Sequence, residues 1–113
     1  MVDMSMSKEL TEIGKSSFSK TIIKSITIPP NVVIICEKAF QLCESLKEVN
    51  ISEDSKLDLI DEESFTEIDI EKIFIPASVT KINGFAFHKC KNLSNVTFQS
   101  NSKLSMIGTC AFS

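Results

Sequence analysis

Val79-Thr-Lys-Ile82-Asn-Gly-Phe-Ala86-Phe87-His-Lys-Cys90-Lys-Asn-Leu93 carries an apolar pair at spacing three, a small residue followed by phenylalanine, and a cysteine three positions later. The small-then-phenylalanine step recurs at Ser17-Phe18, Ala39-Phe40, Ser64-Phe65 and Ala111-Phe112, so five phenylalanines follow one another at gaps of 22, 25, 22 and 25 residues. Self-similarity at a period of about 20 to 50 residues is the signature of a solenoid, in which each unit buries its apolar side against the next.

Counting outward from the phenylalanines aligns the other columns. Upstream lie apolar pairs separated by one residue: Val2/Met4, Ile26/Ile28, Val49/Ile51, Ile73/Ile75 and Val96/Phe98. That alternation predicts five short strands, each showing one face to a core and stacked in parallel. A second set at spacing three, Leu10/Ile13, Val32/Ile35, Leu57/Ile60, Val79/Ile82 and Leu104/Ile107, is expected to line the returning side of each coil. The alternating gaps have a visible cause. Pro29 and Pro76 directly follow their strands, whereas Ser52–Leu57 and Gln99–Leu104 are longer polar turns. Proline ends a ladder because it lacks the N–H donor, and Ser, Asn and Asp turn the chain by local side-chain bonding. The full super-repeat is 47 residues, which places Val2, Val49 and Val96 in register. One ring per level fills a narrow interior, and a small neighbour lets the backbone turn tightly above it. The phenylalanine ladder is therefore read as core.

The 113 residues fit one domain, with repeat units at 1–21, 22–45, 46–69, 70–92 and 93–113. Twelve basic and fifteen acidic residues leave a formal charge of −3 with no block of one sign, which argues against a nucleic-acid footprint or a polybasic membrane patch. Apolar runs such as Asn31–Cys36 fall far short of the roughly 20 residues a membrane-spanning helix needs. The first nine residues hold an early acidic residue and no apolar h-region, so they do not read as a signal peptide. Cys43 and Cys90 occupy equivalent positions two units apart. At about 4.8 Å per unit their Cα atoms would lie about 10 Å apart, beyond disulfide reach, so free, mostly buried thiols are expected. The single histidine, His88, is not spaced with the cysteines as a zinc set would be. No nucleophile, base and orienter can be assembled around it either. Catalytic residues, metal ligands and cofactors are accordingly expected to be none.

Ile26-Thr-Ile-Pro29, the 79–93 stretch and Ser102-Lys-Leu-Ser-Met-Ile-Gly-Thr-Cys-Ala-Phe112 resemble the BspA-like leucine-rich repeats, also called the Treponema pallidum type. The resemblance covers essentially the whole chain. It implies a leucine-rich repeat solenoid of the α/β horseshoe class, right-handed and β-rich, with about five stacked repeats, a concave parallel sheet and little or no helix. Members are commonly bacterial or protist surface antigens that bind host proteins or other cells. Ile68 stands in the cysteine column of the third unit, and the first unit has Thr21 there and lacks the alanine.

Binding is thus the expected class, because a solenoid presents a continuous outward row of side chains. The outward positions between paired core residues are Asp3, Thr27, Asn50, Phe74 and Thr97, flanked by Ser25, Glu48, Lys72 and Asn95. Thr27, Glu48, Asn50, Lys72, Phe74, Asn95 and Thr97 form the candidate partner-binding face; Phe74, its one apolar member, reads either as an interface anchor or as an ordinarily exposed apolar residue or self-contact. Phe85 is expected to pack over a turn and His88 to sit exposed in one. Asp58, Asp61, Glu62 and Glu63 read as a solvated acidic face that, with Glu44, Glu48, Glu53 and Asp54, could steer a basic partner. Asn50, Asn92 and Asn95 begin Asn-x-Ser/Thr sequons, which matter only in a glycosylating pathway. No polar capping unit is evident at either end, which leaves three readings: a fragment of a longer array, end-to-end pairing with another copy, or terminal residues folded over the opening, as Met4, Met6 and neighbouring serines could do at the N-terminal end; self-association is the favoured one. The expected partner is a protein, from the host or its matrix, and not nucleic acid. The family resemblance points to the cell surface, while the lack of a signal segment points to the cytoplasm and to an alternative role as an intracellular scaffold or self-assembling subunit.

Overall fold

The computed structural model describes residues 2–3 and 10–113, with side chains from Leu10 onward. Met4 and Met6 lie outside the described residues, as does the side chain of Asp3. Ten short strands alternate between two sides of a coil: β1 (Val2–Asp3), β2 (Glu12–Ile13), β3 (Ser25–Thr27), β4 (Ile34–Ile35), β5 (Glu48–Asn50), β6 (Leu59–Ile60), β7 (Lys72–Ile75), β8 (Lys81–Ile82), β9 (Asn95–Phe98) and β10 (Met106–Ile107). All pairings are parallel, and no described residue is helical.

The returning side forms the longer sheet. Its five strands run in the order β10-β8-β6-β4-β2, with Ile13, Ile35, Ile60, Ile82 and Ile107 in register. The sequence places these residues on the returning side, and the structure adds that they form a continuous two-residue ladder. Pro29 and Val32 close one turn, where the Val32 N–H donates to the Pro29 carbonyl at 3.1 Å, and Pro76 and Val79 repeat it at 3.2 Å. The longer turns use hydroxyls as expected: Asp54 N–H donates to Ser52 Oγ and Leu57 N–H to Ser55 Oγ, both at 3.0 Å.

The phenylalanines form the third side. Phe18, Phe40, Phe65, Phe87 and Phe112 stack with centroids 5.1–5.2 Å apart and planes within 4–7° of parallel, inside the range in which aromatic pairs attract. Four steps separate the five rings, so the chain makes about four complete turns. The residues two before each ring (Ser16, Lys38, Glu63, Phe85, Cys110) and two after it (Lys20, Leu42, Glu67, Lys89) have φ between 55° and 62°. None is glycine. Alternating left-handed with right-handed backbone turns every second N–H along the solenoid axis. At each joint three N–H groups, two before, at and two after the phenylalanine, donate to the next coil. Around Phe65 these are Glu63 to Gly84 at 3.2 Å, Phe65 to Ala86 at 2.8 Å and Glu67 to His88 at 2.9 Å. Left-handed backbone costs an L-residue about 1–2 kcal/mol, and this inter-coil ladder is what offsets it.

Ala39, Ser64, Ala86 and Ala111 are buried beside the rings, which explains the small-residue requirement. Ser64 is the one of these whose hydroxyl is buried with no hydrogen-bond partner among the described residues. Ser64→Ala, which copies the neighbouring coils, is expected to raise stability by about 1 kcal/mol because an unsatisfied buried hydroxyl is removed. Chemical denaturation checks this; a lowered midpoint would contradict it. Cys43 and Cys90 are free and buried, as are the thiols of Cys36 and Cys110 free, the latter exposed. Cys43 Sγ donates to the Phe18 carbonyl at 2.9 Å and Cys90 Sγ to the Phe65 carbonyl at 3.2 Å, each in the preceding coil. The thiol therefore fastens one coil to the next, and buried Ile68 fills the same column by size alone.

The strand side differs from the expected single stack of five. It divides into β1-β3-β5 and β7-β9, with no ladder between β5 and β7. The loop arriving at Val49 spans nine residues from Phe40, whereas that arriving at Ile73 spans eight from Phe65. At β3/β5 and β7/β9 the arriving loop lengthens from one coil to the next; at β5/β7 it shortens. The Asp69 N–H still reaches the Leu46 carbonyl at 2.9 Å, but those residues lie four and six after their phenylalanines. The one-residue mismatch with the strand register is absorbed at the strands, which separate.

Candidate binding cleft

A cleft of about 630 Å³ opens at the β5/β7 separation. Thr27, Glu48, Asn50, Lys72, Phe74 and Thr97 line it, so six of the seven candidate residues meet around one hollow. Asn95 is exposed beside Lys72 in the β7/β9 register but does not line the cleft. Ile28, Val49, Ile51 and Ile73 form its floor, together with Pro30, Lys47 and Ser52 at the margins. The four aliphatic residues are also core, buried at 1–8 % exposure. Separation of the strands thus uncovers an edge of the apolar interior beneath a polar rim.

Phe74 is half-buried, packed into the hollow rather than standing free in solvent. Its neighbours on the same strand, Ile73 and Ile75, point into the core, which fixes Phe74 outward by the period-2 rule. Lys47 is drawn to one side by Asp69, with Nζ and Oδ2 3.9 Å apart. What the cleft offers is an apolar floor, an aromatic wall, and hydroxyl, amide and opposite charges at its rim. That composition suits a partner side chain with polar surroundings. Sequence reading missed Ile28, Val49, Ile51 and Ile73 as lining residues because their core role is the stronger signal; the shortened loop before Ile73 was the available clue.

Of the other polar residues singled out in the sequence, Asp58, Asp61 and Asn92 bond across coils. Asn83 Nδ2 donates to Asp61 Oδ1 at 2.9 Å, Asn92 Nδ2 to Asp69 Oδ1 at 2.6 Å, and Thr80 Oγ1 to Asp58 Oδ1 at 2.5 Å, each across one repeat. Phe85 meets His88 edge-on at 5.1 Å, packing over the turn as expected. His88 is half-buried rather than exposed, and its Nδ1 lies 3.1 Å from Ser113 Oγ. Among the described residues no three His, Cys, Asp or Glu side chains are grouped to hold a metal, and no helix is long and apolar enough to cross a membrane.

Burial pushes the Cys90 thiol up to about 11, outweighing the opposing backbone hydrogen bonds. The folded value lies above the ordinary 9.0, so between these values the unfolded chain is the one that has lost the proton. The Cys90 contribution to stability is therefore complete below about pH 9 and falls as pH rises toward 11. Alkylation under native conditions at mildly alkaline pH is expected to label exposed Cys110 well before Cys90, read by peptide mass mapping.

A family model described as a BspA type leucine rich repeat region (6 copies) matches residues 4–113. The chain belongs to this repeat family. No curated protein matches it. Among solved structures, the pneumococcal vaccine antigen PcpA is similar at 32 % identity and a TM-score of 0.78 over 86 % of this chain and 26 % of that one. A leucine-rich repeat protein from Bacteroides capillosus is similar at 34 % identity and a TM-score of 0.68, over 80 % of this chain and 64 % of that one. One from Bacteroides ovatus gives 29 % and 0.68, over 94 % and 33 %. The BspA type chain thus spans less than two thirds of each of these proteins.

Proposed function

We propose that this repeat domain is a non-enzymatic protein-interaction module that grips a partner protein at the β5/β7 cleft, with Phe74 as anchor. The observation that carries the reading is the convergence of Thr27, Glu48, Asn50, Lys72, Phe74 and Thr97 on one apolar-floored hollow. Central aromatic residues ringed by polar ones dominate interface energetics. Similarity to a vaccine antigen supports a finer reading, an adhesin-like surface antigen that binds host or cell-surface proteins. Four free thiols favour the second reading, an intracellular scaffold.

Capture from host-cell surface extract and from cytosolic extract, with the wild-type chain beside Phe74→Asp, tests both. Phe74→Asp is expected to weaken the captured partner about tenfold or more while circular dichroism stays unchanged. Equal capture by a folded Phe74→Asp would refute the anchor, and the extract that yields the partner decides between surface antigen and scaffold.

A further inference from the structure

Particular backbone bonds are missing where β5 and β7 separate. At the β3/β5 joint the Lys47 N–H donates to the Lys24 carbonyl and the Ile28 N–H to the Asn50 carbonyl, both at 2.9 Å. At β7/β9 the Ser94 N–H reaches the Glu71 carbonyl at 2.9 Å, in the same columns as Lys47 and Lys24. The counterparts between β5 and β7 would run from the Glu71 N–H to the Lys47 carbonyl and from the Ile51 N–H to the Phe74 carbonyl, and neither forms. Among the described residues the Ile51 and Glu71 N–H groups have no acceptor. Ile51 lies at one end of the cleft floor, and Glu71 directly precedes Lys72 at the other. In the repeat columns Ile51 matches Ile75, four residues beyond Glu71. The two donors are therefore about 13 Å apart along the strand direction, at about 3.3 Å per residue. Glu48 and Lys72 share a column, one on each strand, and no ion pair joins them among the described residues.

We propose that the cleft holds an extended segment of a partner polypeptide, whose main chain takes up the bonds that β5 and β7 do not make to each other. The proposal rests on the reading of this cleft as the binding site and adds what kind of partner enters it. Free N–H donors on two facing edges, beside the Lys47 and Phe74 carbonyls that lack those donors, call for a ligand with donors and acceptors at regular spacing along a line. A polypeptide backbone carries one of each per residue. The distance between the two donors is that of about four residues of extended chain. Main-chain bonds of this kind supply affinity without choosing a sequence, and side-chain pockets choose it. One apolar side chain of the segment rests on Ile28, Val49, Ile51 and Ile73 against Phe74. Toward the Glu48 and Lys72 end the segment offers charges of both signs, a basic residue to Glu48 and an acidic one to Lys72. A segment of one charge sign would meet repulsion from one of the two.

A displayed library of random linear peptides, selected on the wild-type chain and counter-selected on folded Phe74→Asp, supplies the probe. Enriched peptides are expected to carry an apolar residue with acidic and basic neighbours. The best of them is then resynthesised with a single backbone N-methyl group at each position in turn. Methylation at alternate positions is expected to weaken binding to the wild-type chain about tenfold, and at the intervening ones to leave it unchanged, because successive N–H groups of an extended chain point to opposite sides. Residue-resolved hydrogen exchange of the wild-type chain gives a second reading. In the free chain the Ile51 amide, buried like that of Ile28 but lacking its bond, is expected to exchange about tenfold faster or more, and bound peptide is expected to slow both Ile51 and Glu71. A library that enriches nothing, equal binding by every methylated peptide, an Ile51 amide as slow as that of Ile28 in the free chain, or Ile51 and Glu71 amides that bound peptide does not slow would each overturn the proposal. Phe74-dependent capture from extract together with an empty library overturns the extended segment and leaves the interaction module standing. Equal capture by folded Phe74→Asp overturns the cleft as the binding site, and this proposal with it.

Discussion

Phe65→Ala is expected to lower the unfolding free energy by about 3–5 kcal/mol, the usual cost of emptying a buried aromatic site. The ring is fully buried and sandwiched between Phe40 at 5.1 Å and Phe87 at 5.2 Å, so its loss opens a cavity and ends two stacks at once. Neighbouring coils cannot collapse into the space, because their spacing is held by the bonds from Phe40 N–H to the Ser64 carbonyl and from Phe65 N–H to the Ala86 carbonyl, at 2.7 and 2.8 Å. A domain of this size has about 5–15 kcal/mol in total, so about a fifth or more of it disappears. The position in the array also matters. Each coil touches only its neighbours, so weakening the middle one uncouples the two halves and broadens the transition. Phe112→Ala removes a half-buried ring with one stacking partner among the described residues and is expected to cost markedly less. Urea denaturation of both variants gives the comparison; equal effects, or a Phe65→Ala shift below about 1 kcal/mol, would contradict a load shared along the ring column.

The second large effect is expected at a residue with no core role. Glu67 holds φ at 58°, and its N–H donates to the His88 carbonyl at 2.9 Å. Glu67→Pro forces φ to about −65° and deletes the donor, leaving that carbonyl unpaired. The turn must either break or take its neighbours with it, and a loss of about 3 kcal/mol or more is expected. Glu67→Gly separates backbone from side chain. Glycine adopts the left-handed region without strain but gains entropy when unfolded, so the two effects oppose and the net change is expected to stay within about 1 kcal/mol. Thermal melts of the two variants side by side are the measurement. Equal destabilisation would show that the carboxylate, not the backbone conformation, matters at this position.

The columns were legible because their chemistry is monotone along the chain. Phenylalanine after a small residue, isoleucine at the returning strand and proline after Ile28 and Ile75 each have one explanation, and a period multiplies it. The left-handed positions were not legible, since Ser16, Lys38, Glu63, Phe85 and Cys110 share no side-chain property. Their common feature is a direction of the backbone N–H, which sequence does not display. Phe74 was legible as an outward residue from alternation alone. Its half-burial was not, because that depends on two strands failing to pair. The cause is a count: one residue fewer between Phe65 and Ile73 than between Phe40 and Val49. A deletion of one residue is inconspicuous beside a five-fold ring motif, yet it decides where the apolar interior reaches the surface.

That count also bears on valency. The 47-residue super-repeat contains one joint at which the arriving loop lengthens and one at which it shortens. Adding coils in pairs therefore adds the opening as well as the frame around it, and successive openings would lie two rungs apart, about 10 Å at 5.1–5.2 Å per rung. A longer array of this design is a row of equally spaced weak grips. Against a partner whose own binding segments repeat, such a row gains avidity from spacing alone, with no change in any single contact.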